Sequence, residues 1–181
     1  FEELGATLID TDAIAHALTA AGGAAIAPIR AAFGADYITP EGALSRARMR
    51  ELVFADAAKK RQLESILHPM IRAQTSALAQ AAPSPYVVLM VPLLIESGDY
   101  RQRCQRILVV DCPEELQLAR VTARSGLAAG QVRAIMANQV SRGTRLAAAD
   151  DVIDNSQDLA ELRRQVETLH ARYLQFAAAG G

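Results

Sequence analysis

The chain has 181 residues, enough for one compact domain with appendages but not for two large independent cores. Apolar residues make up 51% of it, many of them alanine, while aromatics are 4% and tryptophan is absent, which predicts a helix-rich soluble protein with thin cores. A formal net charge of -1 excludes an overall basic field for nucleic acid or an anionic membrane, so an anionic ligand has to be met by locally clustered arginines.

Phe1-Glu2-Glu3-Leu4 followed by Gly5 reads as the last turn of a helix closed by a glycine at its C-terminal cap. One turn does not sustain itself, so the rest of that helix is expected upstream. Four short apolar runs then read as strands: Ala6 to Ile9, Tyr86 to Val91, Arg106 to Val110 and Asp151 to Ile153. The second and third are continuously apolar, the mark of parallel strands covered on both faces. Helical stretches separate the runs, so the expected fold class is α/β with a parallel sheet.

Between the first two strands lie about seventy residues, far more than one crossover helix needs. They predict helices over Ala13 to Ala20, Ala24 to Phe33, Ser45 to Phe54, Ala57 to Leu67 and Met70 to Ala81, punctuated by Gly22-Gly23, the turn Thr39-Pro40-Glu41-Gly42 and the dipeptide His68-Pro69. The proline biases His68 away from the α region and suits the first position of a new helix. Beyond the third strand, a helix from Pro113 to about Arg124 ends at Ser125-Gly126, and one helical stretch covers Ala128 to Ala148. The tail opens on Asp158-x-x-Glu161, close to a capping box, and sets Leu162, Val166, Leu169 and Tyr173 at helical spacing for core packing, with a fraying Ala-Ala-Ala-Gly-Gly end.

Four clusters carry possible chemistry. Leu8-Ile9-Asp10-Thr11-Asp12 delivers two acids at the C-terminal end of a strand, where ligands of open parallel sheets collect; Asp12 suits equally the cap of a helix starting at Ala13. Val91-Pro92-Leu93-Leu94-Ile95-Glu96-Ser97-Gly98 bends the chain directly after another strand, either across a ligand crevice or as a plain connection. Arg120 with Arg124, and Arg142 with Arg145, share helix faces; guanidinium forks suit phosphate, although solvated arginines on helices are common. Asp150-Asp151-Val152-Ile153-Asp154-Asn155 reads as a helix-to-strand junction rather than a metal site. Cys104 and Cys112 belong to no Cys-x-x-Cys or Cys/His cluster and read as incidental thiols.

Taken in order, Ile9-Asp10-Thr11-Asp12, Leu67-His68-Pro69, Val91-Pro92-Leu93-Leu94-Ile95-Glu96 and Ala147 through Asn155 resemble the dephospho-coenzyme A kinase family, over nearly the whole chain from Phe1 to roughly Tyr173. The resemblance implies a P-loop kinase fold: a parallel-sheet nucleotide-binding core formed by residues 1–12, 84–118 and 149–181, an inserted helical acceptor-binding domain at 13–83 and a lid at 119–148. It implies ATP and dephospho-coenzyme A as the partners, with Mg2+; the net charge, with neither an 18-residue apolar span nor a leader pattern in the sequence, leads to the expectation of no nucleic acid, no membrane and a cytoplasmic location. By matched position Asp12 is the acceptor-side base and Arg120 stabilises the transferring phosphoryl. His68, Pro92, Leu93 and Glu96 face the acceptor, Arg124, Arg142 and Arg145 serve the nucleotide and lid, and Asn155 lies near adenine. No G-x-x-x-x-G-K-[ST] occurs in the 181 residues, so no metal ligand is expected within them. Phosphoryl transfer is expected only from a version extended upstream by about two dozen residues, whose loop, just before the helix ending at Phe1 to Leu4, would supply the phosphate-cradling donors. A different small-molecule kinase of the same fold and a non-catalytic acceptor-binding protein are the alternative readings.

Overall fold

The computed structural model describes residues 1–97 and 104–179. Two compact units divide at the end of the second strand: one is Glu2–Val91, the other Pro92–Gly181 together with Phe1.

In the first unit a single 3-10 turn, Glu2–Leu4, ends where the Gly5 N–H donates to the Glu2 carbonyl at 2.9 Å. Strand β1 (Thr7–Asp10) pairs in parallel with β2 (Val87–Met90), Ile9 opposite Leu89. Pleating sends Ile9, Val87 and Leu89 into the core, while Leu8 and Met90 stay exposed. Helix α1 (Thr11–Thr19) begins two residues before the expected Ala13, and Asp10, not Asp12, is its N-cap: the Asp10 Oδ1 accepts the N–H groups of Asp12 and Ala13. Helices α2 (Ile26–Phe33), α3 (Arg46–Ala55) and α4 (Ala57–Gln80) follow. Their shared core holds Ile9, Ile14, Leu18, Ala25, Ile29 and Met49. Gly23 is required there, because a Cβ would lie 2.3 Å from the Leu18 carbonyl oxygen.

The expected break at His68-Pro69 does not occur, since α4 runs continuously with Pro69 inside it. Proline removes one helical hydrogen bond. Leu63, Ile66 and Leu67 before it and Met70 and Ile71 after it all pack on the same core, and that burial on both sides outweighs the local loss.

In the second unit α5 (Leu94–Ser97) precedes β3 (Leu108–Asp111), which pairs in parallel with β4 (Asp151–Asp154). The expectation that the continuously apolar strands are covered on both faces fails. Each described sheet has two strands, and Val110 remains 60% exposed. Helix α6 (Glu114–Ser125) is closed by Gly126 in the left-handed region, φ 69°. The single stretch expected from Ala128 to Ala148 is two helices, α7 (Ala129–Ala137) and α8 (Arg142–Ala148), because Ser141 caps the second by accepting the Thr144 N–H. The last helix, α9 (Leu159–Ala179), remains helical through the alanines expected to fray; Gly180 and Gly181 lie outside the described residues. Neither Cys104 nor Cys112 forms a disulfide, and both are half-buried.

The Asp150–Asp151 junction is structural. Asp150 accepts the Ile107 N–H at 2.7 Å, and the Asp151 side chain, 2% exposed, takes Arg106 at 2.7 Å, Arg172 at 2.9 Å and the Tyr173 hydroxyl at 3.0 Å. Both guanidinium groups also lie over the Phe176 ring. One carboxylate thereby ties β4 to α9 and to the segment entering β3.

The Arg106 hydrogen bond holds the Asp151 carboxyl below its ordinary value of 3.8, against the opposing effect of burial. A depressed folded value means a stabilisation fully present above 3.8 and lost as pH falls through the folded value. Asp151→Asn is therefore expected to cost about 2–4 kcal/mol at neutral pH, less than a fully buried pair because both arginines reach solvent, and to flatten the acid limb of the stability curve. Chemical denaturation as a function of pH measures both effects.

Candidate active site

The first unit contributes an acid-bearing strand end. Asp12 sits in the first turn of α1, exposed, immediately beyond β1, and among the described residues its carboxylate has no hydrogen-bond partner. Because Asp10 takes the capping work, the Asp12 carboxylate is left over, held only by its helix. Thr11 anchors that corner through its hydroxyl, which donates to the Met90 carbonyl at 2.8 Å and so ties the ends of β1 and β2 together. His68 is exposed in the middle of α4.

The second unit contributes the arginines and a connected polar path. Arg142 donates its Nε–Nη2 edge to the Asp111 carboxylate, at 2.9 Å to Oδ1 and at 3.1 and 2.6 Å to Oδ2. Asp111 ends β3, and its side chain is 12% exposed. Its carbonyl accepts the Asn155 N–H at 2.7 Å, and the Asn155 carbonyl accepts Arg120 Nη1 at 2.7 Å. Arg142, Asp111, Asn155 and Arg120 thus form one hydrogen-bonded series across the ends of β3 and β4. The Arg142 hydrogen bond pulls the Asp111 carboxyl below its usual range despite burial, and the same pair raises Arg142.

The four arginines are therefore not equivalent. Arg142 is already neutralised along one edge. Arg145 donates to Gln139 at 3.3 Å. Arg120 spends one of its five donors on a neutral carbonyl, which leaves its charge and most of its fork for an anion. Arg124, one turn beyond on α6, is exposed and has no ion-pair partner among the described residues.

Pro92 and Leu93 form an exposed turn before α5. Glu96 accepts the Val140 N–H through Oε1 at 3.0 Å. Gly98, at the end of the same motif, lies outside the described residues. Sequence reasoning passed over Asp111, although its signal was the one that singled out Asp10: an acid closing an apolar strand, Leu108-Val109-Val110-Asp111. Glu96 was noticed, but its backbone partner forty-four residues away has no signature in the sequence. Among the described residues no three His, Cys, Asp or Glu side chains converge as a metal site would require, and no helix is long and apolar enough to cross a membrane.

The dephospho-CoA kinase family model matches residues 1–161. The dephospho-CoA kinase of Aromatoleum aromaticum is 63% identical over 99% of this chain and 87% of its own length. That of Dechloromonas aromatica is 57% identical over 98% and 86%. Among solved structures, TT1252 from Thermus thermophilus superposes with a TM-score of 0.81 at 29% identity, covering 94% of this chain and 86% of the other. The dephospho-CoA kinase from Campylobacter jejuni gives 0.67 at 26% identity, covering 96% and 88%. Parallel strands with acids at their C-terminal ends, arginine-bearing helices and these likenesses define an α/β kinase of the P-loop fold. Within that class, the chain belongs to the dephospho-CoA kinase family. The alternative of a different small-molecule kinase of the same fold falls with that assignment.

Proposed function

We propose that this chain carries the acceptor-side and arginine machinery of an enzyme that transfers the γ-phosphoryl group of ATP to the ribose 3′-hydroxyl of dephospho-CoA, yielding CoA and completing its synthesis, in the cytoplasm. The observation that carries the reading is the family match through residues 1–161, supported by relatives more than half identical over nearly the whole chain.

In this mechanism the Asp12 carboxylate accepts the 3′-hydroxyl proton while the ribose oxygen attacks the γ-phosphorus and the bond to the ADP leaving oxygen breaks. Its exposure at a strand end and its freedom from capping support that role. Arg120 steadies the charge spread over the equatorial phosphoryl oxygens, with Arg124 beside it on the same helix. Arg142 and Arg145 order the segment around them, and Asn155 lies toward adenine. His68 and the Pro92–Leu93 turn, all exposed, meet the acceptor. Mg2+ bound with ATP would neutralise charge on its phosphates, and among the described residues no group of three His, Cys, Asp or Glu side chains would hold it.

Two substitutions, made in a version extended upstream to carry a phosphate-binding loop, test the assignment. Asp12→Asn removes the base but no cap, so turnover is expected to fall by a factor on the order of 10²–10⁴. The stability cost is limited to the favourable charge of an acid in a first helical turn, about 0.3–1 kcal/mol. Turnover within a few-fold of the parent, measured beside calorimetric melting on the same preparation, would exclude Asp12 as the base. Arg120→Lys keeps the charge and loses the planar fork. The expected result is a lower kcat with the melting temperature nearly unchanged, and an unaltered kcat would return Arg120 to the solvated surface.

A further inference from the structure

At the α7–α8 junction the second unit departs from the continuous helix expected of Ala128 to Ala148, and three tethers hold the departure. Val140 lies between the end of α7 at Ala137 and the Ser141 cap of α8. Asn138 and Gln139 still direct their N–H groups back onto the Ile135 and Met136 carbonyls. The Val140 N–H points elsewhere, onto the Glu96 carboxylate at 3.0 Å. On its C-terminal side, Arg145 reaches Gln139 and Arg142 grips Asp111. Glu96 stands in the short helix α5, directly behind the Pro92–Leu93 turn.

We infer that Glu96 is a positioning residue: it ties the Pro92–Leu93 turn to the α7–α8 junction and so sets the two arginines of α8, rather than contacting the acceptor itself. A carboxylate accepting a backbone N–H makes a charge-assisted bond, stronger than a neutral one. The donor it takes has no helical partner, so losing the bond frees the junction to continue the helix or to fray. Either change turns Arg142 and Arg145 relative to α5. This inference rests on the kinase reading for its effect on turnover, but the tether itself does not depend on that reading.

Glu96→Ala and Glu96→Gln separate the possibilities, because glutamine can still accept the Val140 N–H through its amide oxygen while losing the charge. In the 181-residue chain, amide hydrogen exchange at Val140 is expected to quicken about 3–10-fold in Glu96→Ala and to stay near the parent rate in Glu96→Gln. In the extended protein, kcat is expected to fall by a similar factor of about 3–10 in Glu96→Ala and to recover most of that loss in Glu96→Gln, with the calorimetric dissociation constant for dephospho-CoA within about twofold throughout. Weaker acceptor binding with kcat preserved, or equal losses in both variants, overturns the inference in favour of direct contact through the charge. So does unchanged exchange at Val140. A parent protein that transfers no phosphoryl group at all would instead sink the kinase reading, and the exchange result would still decide whether the tether exists.

Discussion

The Asp111 carboxylate lies at the end of a strand with most of its surface withdrawn from water. Left unpaired there, it would gain a proton or pull the strand end toward solvent. Arg142 resolves this by presenting two parallel donors, and the geometry of that fork fixes the direction in which α8 leaves the junction. Backbone links then carry the order onward, through the Asn155 N–H on Asp111 to Arg120 on the Asn155 carbonyl. The arginine side of the candidate site leans on this ion pair, because the helices that bear it hold few fully buried residues. Of α6, α7 and α8, only α7 contains a buried residue, Val132.

A thin core makes such polar ties consequential. Ile153 and Val132 are among the few fully buried apolar side chains of the second unit, whereas the first unit gathers Ile9, Ile14, Leu18, Ala25, Ile29 and Met49 into one cluster. The second unit is held in addition by carboxylates that each take several donors: Asp151 with two arginines and a tyrosine, and Asp111 with a bidentate arginine. Surface ion pairs of ordinary geometry contribute little. These two differ in being nearly buried on the acid side and multiply bonded.

The same economy links structure to chemistry. Capping by Asp10 leaves the neighbouring Asp12 without structural work. Engagement of Arg142 by Asp111 leaves Arg120, Arg124 and Arg145 as the arginines of these helix pairs with no ion pair among the described residues. Residues of identical chemistry thus divide into those that hold the fold and those whose charge the fold leaves unpaired. Composition alone makes no such division.

Short-range patterns in the sequence determined the four strands, the tail helix and its Asp158 cap, the glycine stop after α6 and the parallel α/β class, because each depends on neighbouring residues and on apolar periodicity. The ordered motifs, read together, also pointed to the family. Tertiary structure alone decided three matters. Pro69 stays within a continuous α4 because apolar side chains on both sides of it bury against one core. The stretch from Ala128 to Ala148 breaks at residues 138–141 because Ser141 caps the second helix and Glu96 takes the Val140 N–H from a distant part of the chain. Asp10 rather than Asp12 became the cap because β1 and α1 meet without a spacer, which brings the Asp10 carboxylate onto the first free N–H groups. Burial and partners remote in sequence leave no local trace, and for that reason the strands and helical stretches were legible while the breaks within those stretches and the roles of Asp111 and Arg142 were not.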